Sequence, residues 1–209
     1  MPLYKEVILN TTSSLYLWKI TEDLEELNCA VKLSASSQNR VKSMKSESHK
    51  KGFLSVRMLL QHLGYSDFDL YYDANGKPHL IDEKCISISH SHTFSAIAIC
   101  DQPIGLDVEH VKEKILKIAS RFMDVSHLEN LSEKEKMIKA TIIWGIKESI
   151  FKIKNEEGIS FKNHIFEEDF LFEDKKAKAK LIFNNKEENF DILFDLVEDY
   201  IFVCAFEKQ

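Results

Sequence analysis

The stretch PIGLDVE, residues 103–109, alternates apolar residues with others in the way a β-strand does. Side chains of a strand point to opposite faces in turn, so Asp107 and Glu109 project to the same side. Two carboxylates held that close repel each other unless a cation lies between them. So short a pattern is common by chance, and an exposed strand edge with two unrelated acids is the ordinary alternative. An oxygen-rich site at this strand therefore needs support from elsewhere in the chain.

A second stretch, WGIKESIFK at residues 144–152, supplies that support. It lies in a helix predicted to span residues 132–154, in which Ser132 and Glu135 have the spacing of a capping box at the start. Trp144, Glu148 and Lys152 step by four and share one face of this helix. An exposed Glu148–Lys152 pair, which would stabilise the helix by about 0.2–0.5 kcal/mol, is the ordinary explanation. The face is half apolar, however, and should contact protein, which favours a lysine that neutralises a phosphate.

Four motifs resemble those of the 4′-phosphopantetheinyl transferase superfamily. In chain order they are GKP (76–78), SHS (89–91), PIGLDVE (103–109) and WxxKExxxK (144–152). Each motif alone is weak, but four in the family's order at plausible separations form a specific signal. The length of the chain favours the larger monomeric type of the family, which activates peptide and polyketide synthetases.

The resemblance implies an α+β fold of two similar halves, in which antiparallel sheets pack against helices. The halves, residues 1–102 and 103–209, would be related by a pseudo-twofold arrangement, with the active site at their junction. The residue pattern predicts a helix that ends at Gly64 and a pair of strands near 85–89 and 94–100. It also predicts a tail rich in strands, the first of them from Ile165 to Phe172.

The resemblance also implies a reaction. The enzyme would transfer the 4′-phosphopantetheine arm of coenzyme A to a serine of an apo acyl or peptidyl carrier protein, releasing adenosine 3′,5′-bisphosphate. Mg²⁺, which prefers oxygen ligands, would be bound by Asp107, Glu109 and Glu148. Glu148 would deprotonate the serine, directly or through water. Lys152 would neutralise charge on the leaving phosphate.

Coenzyme A contacts are carried over from the family to positions in both parts of the chain. His92 departs from the family pattern, in which a small residue is usual at that position. Lysines stand where the family often has an arginine, and lysine lacks the two-pronged grip of a guanidinium on phosphate. The predicted contacts are Lys50, Arg57, Lys77, Pro78, Ser89, His90 and Lys152.

Composition and charge favour a globular protein and make nucleic acid a poor candidate as its partner. The chain is 44% hydrophobic and 30% charged, which is typical of a globular protein. Its net charge is −6, yet residues 32–57 carry seven basic side chains and one acidic one. This segment suits coenzyme A or an acidic carrier better than nucleic acid, although a solvated helix face is the ordinary alternative. Four scattered cysteines and the lack of a signal peptide or membrane-spanning run predict a cytoplasmic protein with reduced thiols. The resemblance implies that it is a monomer.

Two alternatives from other functional classes remain open. One is a metal-dependent hydrolase of nucleotide pyrophosphates, in which His90, His92 and the acids bind Zn²⁺ or Mn²⁺. Tight metal binding without nucleotide would favour it. The other is a non-catalytic protein that binds coenzyme A or a carrier. The intact acids and lysine of the two main stretches argue against a loss of catalysis.

Overall fold

The structure is a computed structural model that describes residues 3–208. The chain divides into two compact units, one ending at Gln102 and the other starting at Pro103. Each unit has its own antiparallel sheet packed with helices and its own apolar core. The predicted α+β fold class is therefore confirmed, while the pseudo-twofold arrangement stays a prediction. None of the helices within residues 3–208 has the length and apolar character needed to span a bilayer.

The first unit is built on an antiparallel sheet with strand order β1-β2-β6-β5, and a separate hairpin pairs β3 with β4. Its helices α1 and α3 pack against one another, and α3 lies on the sheet. The elements are β1 (Lys5–Asn10), β2 (Ser13–Lys19), α1 (Leu24–Ala30), α2 (Ala35–Ser43), α3 (Glu47–His62), β3 (Leu70–Tyr72), β4 (Pro78–Leu80), β5 (Cys85–Ser91) and β6 (Phe94–Cys100).

Helix α3 carries much of the core of the first unit. The Ser46 side chain caps its first turn by accepting a hydrogen bond from the His49 N–H. Leu59 and Leu60 are fully buried on its inner face. The chain leaves the helix at Gly64, whose φ of +84° suits a residue without a Cβ atom. The predicted helix end at this glycine is confirmed.

The second unit contains a sheet with strand order β7-β11-β10-β9-β8. All neighbouring strands in this sheet run antiparallel. Short 3₁₀ segments at Ala119–Arg121 and Val125–Leu128 link α4 to α5. The elements are β7 (Ile104–His110), α4 (Lys114–Ile118), α5 (Glu133–Lys154), α6 (Phe161–His164), β8 (Ile165–Glu167), β9 (Lys176–Phe183), β10 (Lys186–Val197) and β11 (Tyr200–Glu207).

Helix α5 crosses β7 and β11 and fills the core of the second unit. It begins with the predicted capping box, in which Ser132 and Glu135 each accept a hydrogen bond from the other's backbone N–H. It ends at Asn155, which adopts the left-handed conformation with φ of 48°. The helix is therefore fixed at both ends, and its position determines which side chains meet β7.

Candidate active site

Two glycines let α5 lie directly against the sheet of the second unit. A Cβ atom on Gly105 of β7 would collide with the backbone carbonyl of Ser149 on α5. A Cβ atom on Gly145 of α5 would stand 2.6 Å from a methyl carbon of Val203 on β11, the strand paired with β7. Glycine is thus required at both points for this close approach. The approach brings the polar side chains of α5 within reach of the acids on β7.

Asp107 is the buried centre of the resulting cluster. It is 5% exposed, and its Oδ1 accepts a hydrogen bond from Lys152 Nζ at 2.9 Å. The same ammonium donates to the Leu106 carbonyl oxygen at 2.7 Å. Lys152 was expected to face a phosphate, with a surface pair to Glu148 as the alternative. The structure pairs it with Asp107.

Glu109 lies two residues further along β7 and has an unusual affinity for protons. Burial, followed by repulsion from Asp107, raises the pKa of Glu109 to about 7. A hydrogen bond from the Trp144 side chain and the charge of Lys152 oppose this rise but do not cancel it. A carboxyl group with this pKa changes its charge near neutral pH, so a nearby cation would favour its ionised form.

Glu148 extends the cluster from the helix side. Burial and repulsion from Asp107 raise the pKa of Glu148, and the charge of Lys152 opposes the rise. The charge of Glu148 also contributes to the raised pKa of Glu109. The structure therefore brings together Asp107, Glu109 and Glu148, the three carboxylates that the sequence suggested. A carboxylate that holds its proton more tightly is a stronger base at neutral pH.

Trp144 has a role in this cluster that its place in an apolar stripe did not reveal. Its indole N–H donates to the Glu109 carboxylate. Its ring packs edge-on against Phe122 and Phe161, with centroid separations of 5.1 and 5.5 Å. The signal in the sequence was that a tryptophan facing protein usually finds a hydrogen-bond acceptor for its N–H. Trp144 thus orients one predicted metal ligand.

The chemistry of the cluster fits a hard divalent cation. Within residues 3–208, no group of three or more histidine, cysteine, aspartate or glutamate side chains is arranged to hold a metal ion as it stands. The donors nevertheless consist of carboxylate oxygens, the ligands that Mg²⁺ prefers. Burial first and then repulsion from Asp107 raise the pKa values of Glu109 and Glu148, and a cation would relieve the repulsion. Asp107, Glu109 and Glu148 would bind it.

Lys147, the first lysine of the WxxKExxxK motif, points into the core instead. Its side chain is 2% exposed and lies 2.8 Å from Glu167 Oε2, in a side chain that is 5% exposed. Its Nζ also donates to the carbonyl oxygens of Phe161 and Ile165, at 3.1 and 2.5 Å. Burial lowers the pKa of Lys147, and the Glu167 charge opposes that effect. This lysine therefore fastens the segment around α6 and β8 to α5.

In the first unit, the SHS motif lies at the end of β5. Residues Ser91 and Phe94 pair across a two-residue turn that contains His92. His92 adopts a left-handed conformation with φ of 47°. Glycine enters this region at no steric cost, which gives a physical reason for the small residue usual at this position in the family. The turn therefore accepts histidine instead of a small residue at position 92 at the cost of backbone strain.

His90 lies against the first half of helix α3. A Cβ atom on Gly52 would stand 2.8 Å from His90 Nδ1, so the glycine makes room for the imidazole. The His49 ring lies 6.4 Å from the His90 ring. Lys50, which lies between His49 and Gly52 on α3, is half-buried. Ser89 on β5 is 9% exposed. Three of the predicted coenzyme A contacts thus lie on β5 and the early turns of α3.

The GKP motif closes the β3–β4 hairpin. Gly76 has φ of +80°, and the Asp73 carboxylate accepts the Lys77 backbone N–H at 2.9 Å. Pro78 starts β4, and β4 in turn packs against β5. Lys77 and Pro78 therefore lie just before and at the start of β4, and β4 packs against β5, the strand that carries Ser89 and His90.

Arg57 makes its polar and ring contacts within the first unit. The residue is 3% exposed, and its Nε donates to Asp67 Oδ1 at 2.9 Å. The guanidinium carbon lies 3.5 Å from the centroid of the Phe53 ring. The side chain is thus engaged inside the first unit. Its predicted contact with coenzyme A stays a prediction that this geometry does not favour.

Comparisons with known proteins give one consistent family. No family model matches the sequence. The chain is 30% identical over 107 residues to 4′-phosphopantetheinyl transferase gsp of Aneurinibacillus migulanus, covering 48% of this chain and 45% of that protein. It is 34% identical over 95 residues to 4′-phosphopantetheinyl transferase Sfp of Bacillus subtilis (strain 168), covering 43% and 42%. It is 32% identical over 94 residues to 4′-phosphopantetheinyl transferase psf-1 of Bacillus pumilus, covering 43% and 40%.

In each of these comparisons, the chain spans less than half the length of the curated relative it matches. All three relatives carry the same enzyme name, and it is the name of the superfamily that the four motifs indicated. The predicted resemblance is therefore confirmed: over nearly half of its length, this chain is similar to 4′-phosphopantetheinyl transferases.

Proposed function

We propose that this protein is a 4′-phosphopantetheinyl transferase that acts on an apo acyl or peptidyl carrier protein. The observation that carries the proposal is the cluster of Asp107, Glu109 and Glu148 beside Lys152. The cluster stands on two of the four motifs that resemble the family, and the names of the three relatives support the same activity. We also propose that the protein is a cytoplasmic monomer without nucleic-acid or membrane partners.

The reaction needs a base for the carrier serine. The serine oxygen forms a bond to the β-phosphorus of coenzyme A, and the bond from that phosphorus to the oxygen of adenosine 3′,5′-bisphosphate breaks. Glu148 takes the serine proton, directly or through a water molecule. Its raised pKa supports this role, because a base is most effective when its pKa lies near the working pH.

The reaction also needs positive charge opposite the pyrophosphate. Mg²⁺ bound by Asp107, Glu109 and Glu148 would supply Lewis-acid neutralisation of the phosphate oxygens. Lys152, one turn after Glu148 on α5, adds an ammonium next to the same acids. Charge placed in advance where it develops in the transition state stabilises that state.

Residues of the first unit are also proposed to contact coenzyme A. Lys50, Lys77, Pro78, Ser89 and His90 are the residues proposed for these contacts. The excess of basic side chains in residues 32–57 supports binding of an anionic ligand. Lys50 and His90 also lie on elements that touch at Gly52. Arg57 is left out because its guanidinium is buried against Asp67.

Intact-protein mass spectrometry tests the proposal. A panel of apo carrier proteins is incubated with this protein, coenzyme A and Mg²⁺. We expect at least one carrier to gain one phosphopantetheine arm, with an equal amount of adenosine 3′,5′-bisphosphate released. A parallel reaction with a chelator tests the metal. Hydrolysis of coenzyme A without modification of any carrier would favour the hydrolase alternative and overturn the proposal.

A further inference from the structure

Two cysteines face each other across the edge of the sheet in the first unit. Cys85 opens β5, Cys100 closes β6, and the two residues are direct partners in the antiparallel register. Partners across an antiparallel pair project to the same face of the sheet. Neither cysteine was given a role by the sequence beyond that of a reduced thiol. We propose that Cys85 and Cys100 form a reversible dithiol–disulfide pair, oxidised by thiol exchange with a small-molecule disulfide.

The register places the Cα atoms of the pair within the range that a disulfide bridges. The residues that flank a two-residue turn, here Ser91 and Phe94, exchange backbone hydrogen bonds. Pair types alternate along the ladder, so Cys85 and Cys100 also form a hydrogen-bonded pair, with Cα atoms about 5.5 Å apart. Disulfides bridge Cα atoms about 4.4–6.8 Å apart. The bond needs no change of register, but the Cβ atoms, about 5.5 Å apart in a hydrogen-bonded pair, must move about 1 Å closer to reach the disulfide spacing of about 3.5–4.5 Å.

The two thiols differ in access. Cys85 is partly exposed on β5, the outermost strand of the sheet. Cys100 is 2% exposed, and its Sγ is hydrogen-bonded to Ser13 Oγ at 2.8 Å and accepts the Gln102 N–H at 3.3 Å. An external disulfide can thus reach Cys85 first. Cys100 is placed to attack from inside the sheet.

The exchange balances in two steps. The Cys85 thiolate attacks one sulfur of the small-molecule disulfide, which releases one small thiolate and leaves a mixed disulfide on Cys85. The Cys100 thiolate then attacks Cys85 Sγ, forms the protein disulfide and releases the second small thiolate. The protein pair loses two electrons and two protons. The small-molecule disulfide is reduced to two thiols, which take up those protons.

The electrostatics of Cys85 set the speed of this exchange. Burial raises the pKa of the Cys85 thiol, and the neighbouring Cys100 raises it further. The thiolate is the attacking form, so the reaction is slow at neutral pH. We expect the rate still to rise with pH where a thiol with an unperturbed pKa of about 8.5 has levelled off.

A disulfide would also change the local contacts of Cys100. Its sulfur would turn toward Cys85 and away from Ser13 and the Gln102 N–H. Gln102 is the last residue of the first unit. Oxidation would therefore alter the hydrogen bonding of the backbone where the chain leaves that sheet.

Thiol counting by mass spectrometry tests the pair. The full chain carrying Cys29→Ser, which removes the exposed cysteine, is incubated with oxidised glutathione at several pH values. It is then unfolded, labelled with a maleimide and weighed. We expect two of the three remaining thiols to resist labelling, without retained glutathione, and a proteolytic fragment that joins the Cys85 and Cys100 peptides. Cys204, buried and with its pKa raised to about 12, should label as an internal control after unfolding.

Two further variants keep the outcome decisive. In the same background, Cys85→Ser should leave both remaining thiols free to label. Cys100→Ser should retain glutathione on Cys85, because no second thiol resolves the mixed disulfide. Labelling of all three thiols in the parent, or a lasting glutathione adduct on its Cys85, would overturn the proposal. Melting curves of each reduced variant confirm that it folds.

Discussion

Among the lysine–carboxylate pairs of helix α5, those of Lys147 and Lys152 differ in access to solvent. Lys147 and Glu167 are 2% and 5% exposed, and two backbone carbonyls complete the coordination of the ammonium. Lys152 is 29% exposed and pairs with Asp107 beside two further acids whose pKa values are raised. The first pair satisfies all its charges within the core. The second leaves an excess of negative charge, which is typical of a site that binds a cation or performs proton transfer.

The largest expected effect is on stability at the buried pair. Lys147→Ala leaves Glu167 buried without its partner, so we expect the free energy of unfolding to fall by about 3–5 kcal/mol. Denaturant titration measures this loss. The double variant Lys147→Met/Glu167→Leu removes both charges and should recover most of the stability. A loss below about 1 kcal/mol in the single variant would contradict the structural role of the pair.

The next effect is on activity at the open cluster. Glu148→Gln keeps the size of the side chain but removes the base, so we expect the transfer rate to fall at least about a hundredfold. The melting temperature should be unchanged or higher, since burial and Asp107 both disfavour the charged Glu148. Single-turnover transfer to a carrier protein and a thermal melt measure the two effects. A variant that transfers at the wild-type rate would remove Glu148 from the chemistry.

The open cluster should also make stability depend on pH. The pKa of Glu109 is about 7 in the folded protein, above its ordinary value of 4.5, so the folded state binds this proton more tightly than the unfolded state does. The stabilisation is complete below the ordinary pKa and is lost as pH rises through about 7. In metal-free buffer the melting temperature of wild type should fall relative to that of Glu109→Gln between about pH 5 and 8. Parallel curves would contradict the raised pKa.

The smallest expected effect concerns the first unit. If Lys50, Lys77 and His90 face phosphates of coenzyme A, then affinity should fall as salt rises, because ions screen such contacts over about 8 Å at physiological strength. Dephospho-coenzyme A should bind more weakly than coenzyme A. Calorimetric titration of both ligands at two salt concentrations measures this. Identical curves would show that the 3′-phosphate makes no contact with the protein.

Local patterns predicted the parts of the fold that local forces determine. The alternation in residues 104–108, the capping box at Ser132 and the glycine that ends α3 are all read within a few neighbouring residues, and all three are present. The tail strand predicted from Ile165 to Phe172 is shorter, since β8 ends at Glu167. Past this point the chain turns inward, and Phe170 is 9% exposed.

Contacts between residues distant in sequence explain the features that the sequence did not predict. Helix α2, with the polar sequence ASSQNRVKS, gave no apolar period. It is held by Asp67, which accepts hydrogen bonds from the Ser34 N–H and the Ser37 hydroxyl at 2.8 and 2.9 Å. The burial of Lys147 depends in the same way on Glu167, twenty residues further along the chain. No local period records such partners.

In the candidate site, too, local patterns predicted some features, while others depend on contacts between residues distant in sequence. Its residue types and the shared face of Asp107 and Glu109 followed from strand alternation. The pairing of Lys152 with Asp107 spans 45 residues and depends on how closely α5 approaches β7. That approach depends on Gly105, whose importance appears only once the helix is in place. The sequence thus predicted the members of the cluster but not which of them touch.

A comparison of transfer rates tests most directly whether Lys152 acts in the reaction while the Lys147–Glu167 pair serves only the fold. Single-turnover transfer from coenzyme A to a carrier protein is measured by intact mass for wild type, Lys152→Met and Lys147→Met/Glu167→Leu. We expect Lys152→Met to transfer at least about tenfold more slowly, equivalent to about 1.4 kcal/mol of transition-state stabilisation. The double variant should transfer within about a factor of three of wild type, a difference below about 0.7 kcal/mol. Equal rates for wild type and Lys152→Met, or a double variant that folds and yet fails to transfer, would contradict the account.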